Sequence, residues 1–261
     1  MNGLRVLIAY FRAALAVELE YRANLTVQAL EAFTGLLTSL GVVALLFSRT
    51  SSLGGWSARD LVVLVGVYTM IGGFINLIIQ PSLQRLVRDV VSGTFDSTLL
   101  KPADAQFLAG IGEIQVWKLV DVVFGGATVA VALGSGPTVP TVGGVVLSVL
   151  ALLLGAVAVA CAWFILATTV FWFMNVENIL VTAQILFQAG RWPVSVFPRW
   201  LRWLLTVGVP VGTAVTFPAE VVTHAFNAAH AVTAVGVTAL LAGFSRWLWR
   251  RGIARYASAS S

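Results

Sequence analysis

The residues from Val122 to Val176 contain no Asp, Glu, Lys, Arg or His, an uncharged run of 55 positions. A helix that crosses the hydrocarbon core of a membrane needs about 20 apolar residues at a rise of about 1.5 Å each, so this run fits two crossings. Its single break, Gly134-Ser-Gly-Pro-Thr-Val-Pro140, is rich in turn residues and predicts the tip of a helical hairpin. These segments lack the alternation of membrane β-strands, so the run predicts an all-α integral membrane protein.

The composition of the whole chain agrees with a membrane location. Of 261 residues, 59% are apolar and 10% are charged, and the mean hydropathy is +0.92, which is more apolar surface than one soluble core would bury. Cys161 is the one cysteine, which excludes a disulfide framework within the chain. The net charge of +5 comes from basic residues at the ends of apolar segments, which favours topology signals over nucleic-acid binding.

Windows of high hydropathy predict six transmembrane helices. They cover about 25–47, 60–80, 116–134, 142–171, 178–197 and 228–247. A further apolar segment at 201–217 contains Pro210 and ends at Pro218, and proline inside a helix removes a backbone hydrogen bond. We therefore expect residues 198–220 to form a re-entrant or interfacial segment between the fifth and sixth spans.

The placement of arginine and lysine predicts the orientation in the membrane. With six crossings and a cytoplasmic N-terminus, eleven basic residues lie inside: Arg5, Arg12, Arg22, Arg85, Arg88, Lys101, Lys118, Arg246, Arg250, Arg251 and Arg255. Five lie outside: Arg49, Arg59, Arg191, Arg199 and Arg202. A seventh crossing would move the four arginines at 246–255 outside, leaving seven basic residues inside against nine outside. The positive-inside rule therefore favours six crossings with both ends in the cytoplasm, including a tail at 248–261.

Amphipathic and aromatic residues border the predicted spans. Within residues 1–23, apolar side chains form one stripe at helical spacing: Leu4, Leu7, Ile8, Phe11 and Leu15. The stripe predicts an amphipathic helix along the inner membrane surface, and an ordinary packing helix has the same pattern. Aromatic residues at span ends are expected to anchor the chain at the membrane interface: Trp172, Phe173, Trp200, Trp203, Trp247 and Trp249.

The loop at 81–104 is the one long, charged loop on the predicted cytoplasmic side. Its apolar residues follow helical spacing: Leu83, Leu86, Val87 and Val90. Gly93 suits a helix stop, and the residue before Pro102 is biased toward an extended conformation. We expect a short helix at about 82–92 followed by a strand-like link, or alternatively a solvated connector.

Two stretches resemble one family. Gly93-Thr-Phe-Asp96-Ser-Thr-Leu-Leu100-Lys101-Pro102, after the second span, resembles a segment of bacterial ATP-binding-cassette (ABC) transporter permeases in the type-2 exporter class. Gly190-Arg-Trp-Pro193, Phe197-Pro198, Val209-Pro210 and Phe217-Pro218 resemble that family's segment between the fifth and sixth spans. Trp192 departs from the pattern, which more often has an aliphatic residue or tyrosine. The outer motif residues carried over are Gly190, Pro193, Pro198, Pro210 and Pro218.

The resemblance implies a single permease domain over residues 1–261 in the bacterial plasma (inner) membrane. It would pair with a second permease half, the same chain or a related one, and with two cytoplasmic ATPase subunits. The residues agree that ATP and Mg²⁺ bind to a partner, because both lysines lie outside any Gly-Lys-Ser/Thr phosphate loop. This chain is thus expected to bind no cofactor and to lack enzymatic activity. The residues expected to couple to the ATPase are Arg85, Arg88, Asp89, Gly93, Asp96, Lys101 and Pro102.

Polar residues inside spans are costly and are functional candidates. Those expected to line the pathway are Glu31, Asn76, Gln184 and Gln188. Glu31 either lines the permease interface or pairs within the bundle. Lys118 and Asp121, three residues apart, predict an ion pair on the helix surface. Near the sixth span, the spacing predicts interfacial polar residues instead of a metal site for Glu220, His224 and His230.

Other function classes have less support. The chain has no Gly-x-Ser-x-Gly or His-Glu-x-x-His motif, which disfavours a membrane enzyme. A secondary transporter usually shows two related halves, and none are seen here. A non-transporting membrane anchor for an ATPase stays open. The apolar, weakly acidic lining suits a lipophilic drug, a cationic amphiphile or a lipid, and outward transport such as multidrug efflux follows from the resemblance alone.

Overall fold

The computed structural model describes residues 10–12, 15, 22–135, 141–173, 177–224 and 227–259. Helices account for the regular structure of these residues, and their one β-bridge joins Leu53 to Trp56. The helices are α1 (Arg22–Phe47), α2 (Ala58–Val91), α3 (Asp96–Leu99), α4 (Ala105–Gly110), α5 (Val116–Gly134), α6 (Val142–Phe171), α7 (Glu177–Phe187), α8 (Arg199–Gly208), α9 (Gly212–Thr223) and α10 (Ala228–Ala259). The prediction of an all-α integral membrane protein is confirmed.

Within the described residues, five helices are long and apolar enough to cross a membrane. They are Thr26–Phe47 in α1, then α2, α5 and α6, and Ala228–Tyr256 in α10. The shortest has 19 residues, which span close to the thickness of the hydrocarbon core at about 1.5 Å per residue. These five correspond to the first, second, third, fourth and sixth predicted spans.

The fifth predicted span is shorter than the sequence indicated. Helix α7 ends at Phe187 and a 3₁₀ turn continues to Arg191, so the predicted end at 197 is wrong. Trp192 is extended (φ −121°, ψ 146°) because the ring of Pro193 disfavours a helical conformation in the residue before it. Helix α7 alone is therefore too short to cross the hydrocarbon core.

Helices α8 and α9 form a bent pair. Their axes differ by 79°, and the bend lies at Val209-Pro210, where proline cannot donate a helical hydrogen bond. This geometry is that of a re-entrant loop or of a single broken span, and the described residues contain up to six spans if the pair counts as one. The expected interruption of the segment at 198–220 is thus present.

Helix α2 continues beyond the predicted second span. It passes through a π-helical turn at Ile75–Ile79 and then runs to Val91, past Pro81. Proline has no N–H for the carbonyl of Leu77, and that carbonyl instead accepts a hydrogen bond from the backbone N–H of Gln115 at 2.8 Å. The loop helix expected at 82–92 is therefore the end of the span helix itself.

The link after α2 is helical. Gly93 has φ +72°, the left-handed conformation that ends helices, and the N–H groups of Thr94 and Phe95 both bond the carbonyl of Asp89. One helical turn, α3, follows. The predicted strand-like link is wrong, because the chain folds back beneath α2 to bury Phe95.

Most of the predicted amphipathic helix at 1–23 and most of the predicted hairpin tip at 134–140 lie outside the described residues. Of the first segment, Tyr10 and Phe11 pack against a small apolar cluster that includes Leu77, Ile114 and Val116. At the other end of the chain, α10 continues as a helix through the predicted tail as far as Ala259.

Candidate functional site

The aromatic residue of the first family-like stretch is buried in a socket of aromatic rings. Phe95 is 1% exposed, and its ring centroid lies 6.0 Å from that of Phe171, 6.1 Å from Trp249 and 5.7 Å from Tyr256. These four residues are called the aromatic socket below. Phe171 ends α6 and the other two belong to α10. Phe95 meets Trp249 and Tyr256 edge to face, and such pairs each contribute about 0.5–1.5 kcal/mol beyond area burial. The socket therefore holds the turn after α2 against two other spans.

Sequence reasoning placed Trp249 wrongly. It was expected at the membrane interface, but it is 2% exposed and packs on Phe164 and Phe171 as well as on Phe95. Trp247, two residues earlier, is 46% exposed and stacks on the guanidinium of Arg251 at 4.4 Å. Residues two apart on a helix point to nearly opposite sides, so these two tryptophans cannot share one role.

An ion pair ties the far end of the loop to α10. The Arg246 guanidinium donates to both carboxylate oxygens of Asp104, at 3.3 and 2.7 Å, and also to the Gln106 side-chain oxygen at 2.7 Å. Asp104 also caps α4 by accepting from the N–H of Phe107. The hydrogen bond from Arg246 holds the pKa of Asp104 below its usual range, against the opposing effect of partial burial. The stabilisation that the Asp104–Arg246 pair contributes is thus present at neutral pH and is lost as the pH falls through the lowered pKa of Asp104.

Reversing one charge of the Asp104–Arg246 pair should release the loop from α10, and reversing both should restore the attachment. Asp104→Arg or Arg246→Asp alone places like charges in contact, which should raise hydrogen exchange across residues 96–110 several-fold, while the double exchange returns it toward the original rate. Because both side chains are partly exposed, global stability should change by less than about 1 kcal/mol. Arg250→Asp, an exposed arginine of the same helix, is the matched control. Equal hydrogen exchange in the single and double variants would show that this ion pair does not hold the loop to α10.

The end of α2 is fastened to residues 112–113. The Ser82 hydroxyl donates to the carbonyl of Glu113 at 2.8 Å and accepts from its N–H at 3.1 Å. Arg85 donates to the Gly112 carbonyl at 2.7 Å and lies 3.5 Å from Asp89, so its charge is used within the chain. Arg88, exposed and near the tip of α2, pairs with the Glu113 carboxylate at 2.9 Å.

The outer surface of this loop carries the remaining predicted coupling residues. Residues 80–113 are called the platform below. Gly93, Asp96, Lys101 and Pro102 are exposed on it, and the Asp96 carboxylate interacts with the Tyr256 hydroxyl. Leu100 is 86% exposed, and the sequence analysis gave it no role. The signal in the sequence is an apolar residue next to Lys101-Pro102 in a charged loop.

A second site is a polar groove of about 230 Å³ among α1, α2, α5 and the turn after α7. Three predicted pathway residues meet there: Glu31 and Asn76 line the groove, and Gln184 donates its amide hydrogen to Asn76 at 3.0 Å. Gln188 is exposed on the 3₁₀ turn and does not line the groove.

Charged and aromatic residues complete the groove. Lys118 lies 4.0 Å from Asp121 and donates to the Gln28 side chain at 3.2 Å, so the predicted ion pair is present, although both partners are mostly buried. The Arg191 guanidinium lies 5.6 Å from the centre of the Tyr68 ring. Sequence reasoning missed Tyr68, since a tyrosine in a span has no distinguishing pattern, and it did not place Arg191 among the pathway residues.

The outer motif residues shape the turn after α7 and the bent pair. Gly190 is buried so tightly that a Cβ there would lie 2.9 Å from Val211. Pro193 and Pro198 precede a 3₁₀ turn and α8, Pro210 lies at the bend, and the carbonyl of Pro218 accepts a hydrogen bond from Ser148 at 2.9 Å. In the described part of the chain, no group of three His, Cys, Asp or Glu is arranged to hold a metal ion.

A bundle of apolar helices with a fastened, solvent-facing platform and a polar groove defines a membrane transport protein of the permease type. Residues 33–260 match the family model described as ABC-2 family transporter protein, and the chain belongs to this family. Membership implies association with ABC ATPase partners. No curated protein and no solved structure gives a significant match.

Proposed function

We propose that this chain is the permease subunit of an ABC exporter and forms half of a pathway for an amphiphilic, drug-like or lipid-like substrate. ATP hydrolysis on two cytoplasmic ATPase subunits, which hold the ATP and Mg²⁺, drives transport, and the chain itself catalyses no reaction. The observation that carries this proposal is the fastening of the exposed platform to several spans at once, through the aromatic socket, the Asp104–Arg246 pair and the continuous helix α2.

The mechanism is mechanical. An ATPase that binds the exposed surface around Asp96, Leu100 and Lys101 moves the platform when it closes on ATP. Because α2 is one helix from Ala58 to Val91, displacement at its tip tilts its membrane part, and the socket passes the same displacement to α6 and α10. Coupling through rigid elements with two arrangements then opens the groove to the outer side.

The polar groove supports an amphiphilic substrate. Glu31 and Asp121 offer carboxylates, Asn76 offers an amide, and the surrounding helix faces are apolar. Helix α1 is also unusual, because 6% of its apolar spanning stretch is buried within the chain. Most of its surface is therefore available to lipid or to a second permease half. We propose that the second half, identical or related, closes the groove at this helix, with the chain in the bacterial plasma membrane and both termini cytoplasmic.

Charge reversal on the platform tests the ATPase contact. Arg88→Glu and Asp96→Lys should each lower ATP-dependent transport and substrate-stimulated ATP hydrolysis several-fold while the protein still inserts and folds, because both side chains lie on the exposed surface. Arg85→Glu should act partly by breaking its bond to Gly112. Transport by the reconstituted complex and ATPase rate are the readouts, and Arg250→Glu on α10 serves as the control. Normal transport in all three platform variants would refute the contact.

A further inference from the structure

A separate cavity of about 390 Å³ lies between the bent pair and α10. It shares no lining residue with the polar groove or the platform. Its walls are mainly apolar and include Val194, Val207, Phe217 and Ala234. Trp203, also in the lining, is 68% exposed, so the cavity opens where an indole ring reaches the surface of the bundle.

One carboxylate and one imidazole form the polar end of the cavity. His230 Nδ1 lies 2.7 Å from Glu220 Oε2. A carboxylate has no hydrogen to donate, so with Glu220 in that form the Nδ1–H of His230 is the donor and Glu220 the acceptor. In the part of the chain that the structure describes, the second oxygen of Glu220 receives no hydrogen bond. The cavity thus presents an acceptor with a negative charge.

Threonine hydroxyls add further acceptors. Thr206 and Thr233 donate their hydrogens to the carbonyls of Arg202 and Ala229, at 2.7 and 2.8 Å, which leaves their oxygen lone pairs as acceptors. Thr213 is 2% exposed, lines the cavity, and has no hydrogen-bond partner within the described residues. A buried hydroxyl without a partner is destabilising, and a bound ligand would supply the missing hydrogen bond.

The arginine that also lines the cavity is bonded to the neighbouring backbone. Arg202 donates to the backbone carbonyls of Val194, Ser195 and Phe197. These hydrogen bonds hold the guanidinium against the turn before α8. The cavity therefore combines acceptors around the Glu220 carboxylate with the guanidinium of Arg202, whose bonds go to the backbone, among mainly apolar walls.

We propose that this cavity binds the protonated primary amine of an amphiphile. The ammonium group has three N–H donors and matches the Glu220 carboxylate and the threonine oxygens, while its apolar chain lies along Val207 and Phe217 and leaves past Trp203. The amine belongs either to a membrane aminophospholipid or to an exported amphiphile. The assignment stands independently of any ATPase coupling.

The test uses the full chain in phosphatidylcholine nanodiscs and a bromoalkylamine, whose bromine quenches nearby tryptophan. The part of the quenching that the Trp203→Phe variant lacks comes from Trp203, so it reports binding at this cavity. We expect Glu220→Gln to weaken amine binding roughly tenfold, the scale of one charge-assisted hydrogen bond, and to leave the bromoalkyl alcohol of equal length unaffected. Asp60→Asn is the matched control, since Asp60 lies near the other histidine, His224, at 3.9 Å and outside the cavity.

Two further measurements complete the test. Thr213→Val should weaken amine binding and yet raise the thermal stability of the free protein, because it removes a hydroxyl that lacks a partner. Nanodiscs containing phosphatidylethanolamine should compete with the bromoalkylamine if an aminophospholipid is the natural occupant, and should leave its affinity unchanged if a transported amphiphile is. Equal quenching by the amine and the alcohol, or unchanged affinity in both Glu220→Gln and Thr213→Val, would overturn the proposal.

Discussion

Phe95→Ala should nearly abolish ATP-dependent transport in a protein that still inserts into the membrane. The ring is 1% exposed and touches three aromatic side chains on α6 and α10. Truncating a buried phenylalanine to alanine costs about 3–5 kcal/mol of folding free energy. Here the contacts removed are those that attach the platform to α6 and α10. The ATPase would then move a detached loop. Transport by the reconstituted complex, normalised to folded protein, measures the effect.

Two controls separate uncoupling from simple destabilisation. Phe164→Ala truncates a buried ring that packs on Trp249 from within α6, so it should lower the thermal stability similarly while keeping the Phe95 ring between Phe171, Trp249 and Tyr256. Phe107→Ala removes a 40% exposed ring from the platform and should change little. Transport in Phe95→Ala equal to that of Phe164→Ala at matched folded amounts would show that the socket has no coupling role.

Gly125→Ala should destabilise the bundle, whereas Gly126→Ala should not. A Cβ at position 125 would lie 2.5 Å from the carbonyl oxygen of Gly66 and 2.8 Å from the backbone nitrogen of Met70, so α2 and α5 would have to separate. Such overpacking costs typically about 1–3 kcal/mol, and more when backbone must move. A Cβ at position 126 meets nothing within 4 Å, and alanine there favours the helix by about 0.8–1.0 kcal/mol.

Thermal unfolding in detergent distinguishes these adjacent glycines. The variant at 125 should unfold well below the original protein, and the variant at 126 at the same temperature or above. Gly66→Ala faces the same contact from α2 and should share the defect, with a double variant less damaging than the sum because both changes open one interface. Equal unfolding temperatures for the variants at 125 and 126 would contradict the close helix contact.

The spans could be predicted because the membrane imposes a length and tolerates few charges. The uncharged run between Val122 and Val176 places two helices close to where α5 and α6 lie. The early end of α7 could also have been predicted, since Trp192 precedes Pro193. The high hydropathy of the following residues instead led to a predicted span that was too long. The continuation of α2 into the predicted loop helix could not be predicted. It depends on a hydrogen bond from the N–H of Gln115 to the carbonyl of Leu77, which Pro81 leaves without a helical partner.

The candidate site could be predicted in part. Asn76 and Gln184 stand out as amides in apolar spans, and they do meet. Phe95 did not stand out, since its burial depends on aromatic residues far along the chain that no local pattern connects to it. Arg246 and Asp104 were likewise separate charges in the sequence and become a pair only through the packing of α10 on the loop.

We expect this chain to move substrate only when a separate ATPase acts on the platform. The most direct measurement compares vesicles holding the intact complex, the complex with Phe95→Ala, and this chain alone, each loaded with ATP on the cytoplasmic side and offered a fluorescent cationic amphiphile. We expect uphill transport in the first, with ATP hydrolysis stimulated by the substrate, and none in the other two. Uphill transport by vesicles that hold this chain alone would contradict it.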